Sequence, residues 1–411
     1  MITRVVHVTE ARGIAGTERS LLMLLDYADR GQFEHVVVCR GSGALADELR
    51  RRSVQIAMIP RWGRLDPIAL VHFGFLLSKL NPDVVHIHGG RLEAVVARIF
   101  GIPVIERKNV CRNRYYRPLL NFRFVDRLLS GLVDVSITPA AAVRIHYIER
   151  GYSPRRVRVV YNGVEAAPPR TADWLQGKRA ELGVPQDAFL VAFAGRLMPE
   201  KGVDVLLQAL AKTQPNVWCI LAGEGPHRAR YEEQARELGL SGRVRFLDFR
   251  SDVREIFACA DVVAVPSASE PLANVALEAM AEGRAVIATA VEGMPEAVEH
   301  EVTGLLVPPG DADAFAGAIG RLARLPEEAR EMGVSGKVRA NCDLSPERMV
   351  SETEAIYGDL LGTNLHERKR DAAVCRETPS KMPVRRGAVA NRSVQQHALP
   401  AARRLVHSSH P

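Results

Sequence analysis

Short runs rich in valine and isoleucine alternate with amphipathic helical stretches along this chain, and this alternation limits the fold more than any other feature. Strands separated by helices pair in parallel, because each helix returns the chain across one face of the sheet. The pattern therefore predicts two mainly parallel β-sheets, each flanked by helices. The runs of the first half are RVVHVT, HVVVCR, VQIAMIP, DVVHIHG, PVIERK, VSITPA and VRVVYNG, and those of the second are FLVAFAGR, VWCILAG, VRFLDF, DVVAVPS, AVIATA and GLLVP.

The segment between the two sets of runs, residues 163–187, is rich in proline, alanine and charge and predicts a linker. A chain of 411 residues is long enough for two domains. We therefore predict an N-terminal Rossmann-like domain over residues 1–165 and a C-terminal one over residues 166–344. Ligands bind at the carboxyl ends of the strands in open α/β sheets, so the two domains are expected to face each other across a cleft.

One more helix is predicted over residues 345–361, where it joins the N-terminal domain. Ser345 can cap its first turn, and Pro346 suits the first helical position. This helix is expected to end the ordered chain. Its apolar stripe consists of Met349, Val350, Thr353, Ile356, Tyr357, Leu360 and Leu361.

The net charge of +7 comes from the last part of the chain. Residues 362–411 contain ten basic and three acidic residues, which leaves 45 of each sign before them. A neutral globular part argues against nucleic acid as a partner. The tail has few large apolar residues and is predicted to be disordered. Its basic residues could contact an anionic lipid surface, or it could be a solvated extension without a partner.

Composition also bears on location. No window approaches the roughly 18 uninterrupted apolar residues of a membrane-spanning helix, and the first residues lack the apolar core of a secretory signal. We therefore expect a cytoplasmic protein, with peripheral binding at the inner face of the membrane as a further option. The six cysteines form no CxxC pair, so we expect neither disulfides nor a metal site.

The stretch FLVAFAGRLMPEKGVDVLLQAL has the design of a phosphate site. An apolar strand ends at Gly195, and a helix begins near Lys201. The helix N-terminus offers free N–H groups, while Arg196 and Lys201 add two cations. A diphosphate that gains negative charge as it leaves would suit this arrangement. The alternative is an ordinary basic loop at a solvated helix start.

The stretch SASEPLANVALEAMAEG places two carboxylates around a helix start. Pro271 keeps Glu270 outside the helix, and Asn274 can cap the first turn, which leaves Glu278 about one turn inside. Both carboxylates can then reach one pocket, where they could accept hydrogen bonds from a ribose and a sugar. The alternative is a pair of solvated glutamates, because acidic residues are favoured at helix starts.

These stretches belong to an ordered set of motifs that resembles a known family. The set is similar to the retaining glycosyltransferases of group 1 (family 4), which have the GT-B fold of two Rossmann-like domains facing across a cleft. The resemblance covers residues 1 to about 361. Its motifs are AGTERSLLML, NPDVVHIHG, VVYNGV, GRLMPEKG, LAGEGP, ADVVAVPS, EPLANVALE, GRAVIATAVEGMPE and VTGLLVPPGD.

The resemblance implies that the N-terminal domain binds the acceptor and that the C-terminal domain binds the nucleotide sugar. Arg196 and Lys201 match the residues that bind the donor diphosphate. Glu270 matches the acid at the donor sugar, and Glu278 matches the carboxylate that holds the ribose. The implied catalytic residues are Arg196, Lys201 and Glu270. The implied donor-binding residues are Gly16, Gly195, Arg196, Lys201, Glu270, Ala273, Asn274, Val275 and Glu278.

The same resemblance implies a hexosyl transfer that retains the anomeric configuration without a divalent metal. No cofactor is expected beyond the nucleoside-diphosphate sugar, which is a co-substrate. The implied acceptor is a glycan or a polyprenyl-diphosphate-linked sugar, in the synthesis of bacterial surface polysaccharide or lipopolysaccharide.

The sequence departs from the family pattern at three places. Ala15 and Ala273 stand where relatives often have glycine. More important, Glu106 and Arg107 stand where many relatives place an acceptor-site histidine. We therefore treat both as candidate acceptor-binding residues and expect Arg107 to contact a phosphate or an acidic sugar.

Two further features of the N-terminal half remain open. We expect only one of His86 and His88 to enter the core, and neither to be catalytic. Residues 107–127 contain seven basic residues and one acidic residue among several aromatics. This segment could bind an anionic membrane or a polyprenyl diphosphate, or it could be a solvated helix face.

Three functions from different classes are compatible with these residues. The first is the glycosyltransferase, which accounts for the two cations and the two carboxylates together. The second is another enzyme on the same fold, a sugar-nucleotide epimerase or a sugar phosphorylase. The third is a catalytically silent scaffold, which the loss of Arg196, Lys201 or Glu278 would have favoured.

Overall fold

The computed structural model describes residues 2–11, 13–39, 41–59, 67–89, 92–109 and 130–362. Within these ranges all thirteen predicted strand runs are strands. They are β1 (Thr3–Thr9), β2 (Phe33–Cys39), β3 (Gln55–Met58), β4 (Val84–Ile87), β5 (Val104–Arg107), β6 (Val135–Thr138), β7 (Val157–Val159), β8 (Phe189–Ala194), β9 (Val217–Ala222), β10 (Val244–Leu247), β11 (Val262–Val265), β12 (Ala285–Thr289) and β13 (Gly304–Val307).

Helices connect nearly all of these strands. Those of the first half are α1 (Gly16–Tyr27), α2 (Ala44–Arg51), α3 (Pro67–Leu80), α4 (Leu92–Ile99) and α5 (Ala141–Glu149). Those that follow are α6 (Ala172–Glu181), α7 (Val203–Ala211), α8 (Arg228–Glu237), α9 (Val253–Cys259), α10 (Asn274–Ala281), α11 (Met294–Ala297), α12 (Ala312–Arg324), α13 (Pro326–Cys342) and α14 (Pro346–Leu361).

The strands form two parallel sheets, as the sequence predicts. The first has the order β3-β2-β1-β4-β5-β6-β7, and the second has the order β10-β9-β8-β11-β12-β13. The central strands are buried along most of their length because helices cover both faces of each sheet, whereas the outer strands β3, β7 and β10 are partly exposed. The strand order reverses between β1 and β4 in the first sheet and between β8 and β11 in the second. A crevice opens at such a reversal, and ligands bind there.

Helix α14 packs on the first sheet, far along the chain from its strands. Ser345 caps it by accepting a hydrogen bond from the N–H of Arg348 at 3.3 Å. Its buried stripe, which includes Met349 and Tyr357, shares a core with Val5 of β1. The helix therefore fastens the end of the described chain to the N-terminal half.

The segment predicted as a linker crosses between the two sheets and carries no strand. It contains α6, which has no fully buried residue. Val164, Leu182 and Val184 instead lie in the core of the second half. The tail predicted over residues 362–411 lies outside the described residues from residue 363 onward. Within the described ranges no helix is long and apolar enough to cross a membrane.

Candidate active site

The loop after β8 has the geometry that its sequence predicts. The strand ends at Gly195, a short 3-10 turn covers Pro199–Lys201, and α7 follows Gly202. Gly202 has a φ of 68°, and a Cβ there would lie 2.0 Å from the carbonyl oxygen of Pro266. Only glycine fits this turn, which brings the start of α7 against the loop after β11.

The two predicted cations of this loop differ in their surroundings. The side chain of Arg196 is 69% exposed, and its closest acid is Glu200 at 3.9 Å. Lys201 is more enclosed and makes a close ion pair with Glu270. Arg196 is therefore free to reach a ligand, whereas the ammonium group of Lys201 is already held beside a carboxylate.

Glu270 follows β11 and lies next to the phosphate loop. Its carboxylate accepts from Lys201 and also from the hydroxyl of Ser267 at 3.3 Å. A backbone bond from Ala268 N–H to Glu200 O, at 2.9 Å, ties the two loops together. The structure thus brings Glu270 and Lys201 together from positions 69 residues apart.

Glu278 lies one turn inside α10, as expected. Its carboxylate is 13% exposed and accepts a hydrogen bond from Arg19 of α1 at 2.7 Å. Burial raises the pKa of Glu278, against the opposing effect of Arg19 and Arg254. The sequence gives no signal for Arg19, because the two residues are 259 positions apart.

The expected capping role of Asn274 is wrong. Ala273 is the N-cap of α10, and no side chain caps this helix. The Asn274 side chain instead reaches the N-terminal half, where its Oδ1 accepts from Asn162 Nδ2 at 2.6 Å and its Nδ2 donates to Gly16 O at 3.5 Å. Ala273 is buried and Val275 is half-buried. Asn274 therefore joins the predicted donor loop to the loop after β1.

Glu106 and Arg107 lie on opposite faces of β5, because neighbouring side chains alternate along a strand. Glu106 is buried with Lys108 at 2.5 Å and Ser136 at 2.8 Å. Arg107 lies on the face toward α14, where its Nη2 donates to Asn162 Oδ1 at 2.5 Å. Of this predicted pair, only Arg107 is connected to the donor loop, through Asn162.

Two family models match the chain one after the other. The model described as "Glycosyltransferase Family 4" matches residues 14–167, and the model described as "Glycosyl transferases group 1" matches residues 176–339. Together they cover every strand of the two sheets except β1. The chain belongs to this family.

Curated relatives in the group 1 family align with this chain over part of their length. The D-inositol 3-phosphate glycosyltransferase of Mycolicibacterium paratuberculosis is 42% identical over 211 residues, which cover 50% of this chain and 46% of that protein. The protein of the same name from Mycobacterium bovis is 39% identical over 229 residues, which cover 54% and 47%. The matched segment thus spans about half the length of these relatives.

Solved structures share the fold. The crystal structure of Anabaena HepE in complex with UDP has a TM-score of 0.77 at 23% identity, and the match covers 87% of this chain and 100% of that one. Sucrose-phosphate synthase from Thermosynechococcus elongatus has a TM-score of 0.73 at 23% identity, with coverage of 88% and 99%. These similarities confirm the GT-B fold expected from the sequence.

A cluster of histidines lies behind this site, and the expectation that only one of His86 and His88 enters the core is wrong. Residues two apart on a strand share a face, so both side chains are buried, with ring centroids 4.2 Å apart. His88 lies 3.0 Å from His7 Nδ1, and His86 Nδ1 lies 2.7 Å from the Tyr357 hydroxyl. Burial, together with the smaller effect of the nearby Arg107 guanidinium, lowers the pKa of His88 to about 3.

The imidazoles of His7, His86 and His88 are close enough to hold a metal ion, since one ring nitrogen from each lies within 4.8 Å of the others. Arg107 stands close enough to lower the pKa of His86 and His88. None of the three histidines is paired with a carboxylate among the described residues. A divalent ion would add to a buried positive charge, so the donor set fits a metal poorly.

Proposed function

We propose that this protein is a glycosyltransferase that moves a hexose from a nucleoside-diphosphate donor to a glycan or lipid-linked acceptor, with retention of the anomeric configuration. One observation carries the proposal. Lys201 and Glu270 form an ion pair between the loops after β8 and β11, where the strand order of the second sheet reverses, and Arg196 and Glu278 lie on the same two connections. A silent scaffold would not need this combination of cations and acids, and an epimerase would need further acid–base side chains at the sugar.

The proposed donor lies with its diphosphate on the loop after β8. Arg196 can close on the phosphate oxygens because its side chain is exposed. Lys201 and the first N–H groups of α7 add positive charge on the other side. These groups can stabilise the departing diphosphate, so the proposed reaction requires no divalent metal.

In the proposed reaction the anomeric C–O bond to the diphosphate breaks, and a bond to the acceptor oxygen forms on the same face. The acceptor proton passes to a departing phosphate oxygen, so no side-chain base is needed. Glu270 would contact the donor sugar. Because Lys201 now neutralises Glu270, a diphosphate that attracts Lys201 would also free this carboxylate for the sugar hydroxyls.

The identity of the donor is also a proposal. Structures of the same fold from Anabaena HepE hold UDP and UDP-glucose, so UDP-glucose is the first donor to test. The matched relatives are named D-inositol 3-phosphate glycosyltransferases, which makes a small phosphorylated polyol a reasonable first acceptor. A role in surface polysaccharide or lipopolysaccharide synthesis rests on the sequence resemblance.

Thermal denaturation in the presence of UDP, GDP, ADP, TDP and CMP would test the proposed function. A nucleotide that binds only the folded state raises the melting temperature. Arg196→Ala should abolish the shift, whereas Arg236→Ala, an exposed arginine on α8, should keep it. Selective stabilisation followed by sugar transfer supports the proposal. Binding without turnover would favour the silent scaffold, and release of sugar phosphate would favour a phosphorylase.

A peripheral location at the membrane is the last part of the proposal. The basic segment that suggests it lies, from residue 110 onward, outside the described residues. Support comes from α3, where Ile68, Val71 and Phe75 are 58%, 70% and 71% exposed on one helix. Such an apolar face suits the interfacial layer of a bilayer.

Flotation with vesicles tests this location. Val71→Asp with Phe75→Asp should reduce recovery with anionic vesicles several-fold, because a charged face enters a bilayer poorly. The control is Val334→Asp on α13, a residue that is 64% exposed in the other half of the chain. Equal recovery of the wild-type protein, the Val71→Asp, Phe75→Asp double variant and Val334→Asp would contradict the membrane proposal. It would not bear on the proposed transferase activity.

A further inference from the structure

Arg107 is a buried cation that has no matching anion among the described residues. The residue is 7% exposed, and its buried Nε makes no hydrogen bond within the described part of the chain. Its one hydrogen bond to the described residues is the contact of Nη2 with Asn162. The neighbouring Glu106 cannot compensate, because it lies on the opposite face with Lys108.

The surroundings of Arg107 make this arrangement costly. Burial lowers the pKa of Arg107 to about 10. The side chains next to Arg107 on this face carry no charge: burial lowers the pKa values of His86 and His88 and raises that of Tyr357. The buried acid of α14, Glu354, accepts instead from the N–H of Asp29. A buried guanidinium is usually compensated by a carboxylate or phosphate, because desolvation of a charge costs several kcal/mol. Here the compensating group is not supplied by the described residues.

Arg107 also lies close to the place where sugar transfer would occur. Its partner Asn162 accepts from Ser20 of α1 at 3.3 Å and donates to Asn274 of the donor loop. Two residues further on, Asn109 donates to Thr17 at 2.7 Å, and its own Oδ1 is buried without a partner. Unsatisfied polar atoms at the end of β5 and just after it therefore lie near the start of α1 and, through Asn162, near the donor loop.

We propose that the acceptor carries an anionic group, a phosphate or a carboxylate, and that this group binds Arg107. The inference rests on the proposed function, and it names the acceptor class. The donor diphosphate already has Arg196 and Lys201 on the second sheet, so the cation on the first sheet is available for the other substrate. An arginine fork can bind either anion through two parallel hydrogen bonds.

The experiment measures anion binding separately from donor binding. In an Arg196→Ala, Lys201→Met background, where the donor phosphate site is disabled, the melting temperature is recorded with methyl phosphate, with glucuronate and with chloride at equal ionic strength. One of the first two should raise it by about 2 °C or more well above its dissociation constant. Methyl phosphate would identify a phosphorylated acceptor, and glucuronate an acidic sugar.

Adding Arg107→Gln should remove this shift, and Arg107→Lys should keep part of it. Without an anion, Arg107→Gln should melt at the same temperature or higher, since it removes an uncompensated buried charge. A purely structural arginine would give the opposite result. Shifts equal to that of chloride, or shifts that survive Arg107→Gln, would overturn the inference. The proposed function fails on a different result, the absence of nucleotide binding in the wild-type protein.

Discussion

Replacing Lys201 with methionine is expected to lower kcat for sugar transfer by about 100- to 1,000-fold. Its ammonium group can stabilise charge that grows on the diphosphate as the anomeric bond breaks, and methionine keeps the length of the side chain without the charge. The loss should appear mainly in kcat, because the interaction is stronger in the transition state than in the ground state. Steady-state kinetics with the donor found in the nucleotide screen measure it.

The matched control for this variant is Lys212→Met. Lys212 lies just after α7, is about half exposed and pairs with Asp313 in solvent, so its loss should leave kcat unchanged. Lys201→Arg should recover part of the rate, since it restores the charge with a different shape. If the Lys201→Met variant had the kcat of the wild-type protein, Lys201 would not be a catalytic residue, whatever the effect of the substitution on Glu270.

The fold could be predicted because its information is local. Each strand is a short, mostly apolar run, and each is bounded by a glycine, proline or polar segment that is visible in the sequence. Parallel pairing follows from the helices between the runs. The order of the strands within each sheet could not be predicted in the same way. It depends on which strands pair with each other, and no single run determines that.

The candidate site could be predicted where its residues adjoin strand ends. Arg196 and Lys201 are separated by five positions and stay together in one loop. Asn162 and Arg19 were missed because their partners, Asn274 and Glu278, are 112 and 259 positions away. Such pairs arise only when the two sheets come together, and they leave no spacing in the sequence.

The error over the histidines has a different cause. The expectation placed His86 and His88 on opposite sides, whereas side chains repeat every second residue along a strand. Applied correctly, the strand period would have placed both on one face. It would not have shown His7 or Tyr357 beside them, because those come from β1 and α14.

Glu278→Ala is expected to weaken binding of the nucleoside diphosphate by about 10- to 100-fold, which corresponds to the loss of a hydrogen bond to a charged group. Isothermal titration measures the change. The matched control is Glu282→Ala, one turn further along. Because the Glu282 partner Arg254 also acts on Glu278, loss of Glu282 should lower the melting temperature and change nucleotide affinity only slightly. Glu327→Ala on α13, where Glu327 is 76% exposed and pairs with Arg330, should leave both unchanged.

Arg19 makes this prediction sharper, because it holds the carboxylate that a ribose would need. If the ribose hydroxyls replace Arg19, then Arg19→Met should tighten nucleotide binding, and Glu278→Ala should weaken it to the same affinity in either background. Arg19 is about half exposed, so it can turn into solvent when displaced. Weaker binding in Arg19→Met would instead mean that the arginine contacts the nucleotide directly. An unchanged affinity in Glu278→Ala would remove that carboxylate from the ribose site.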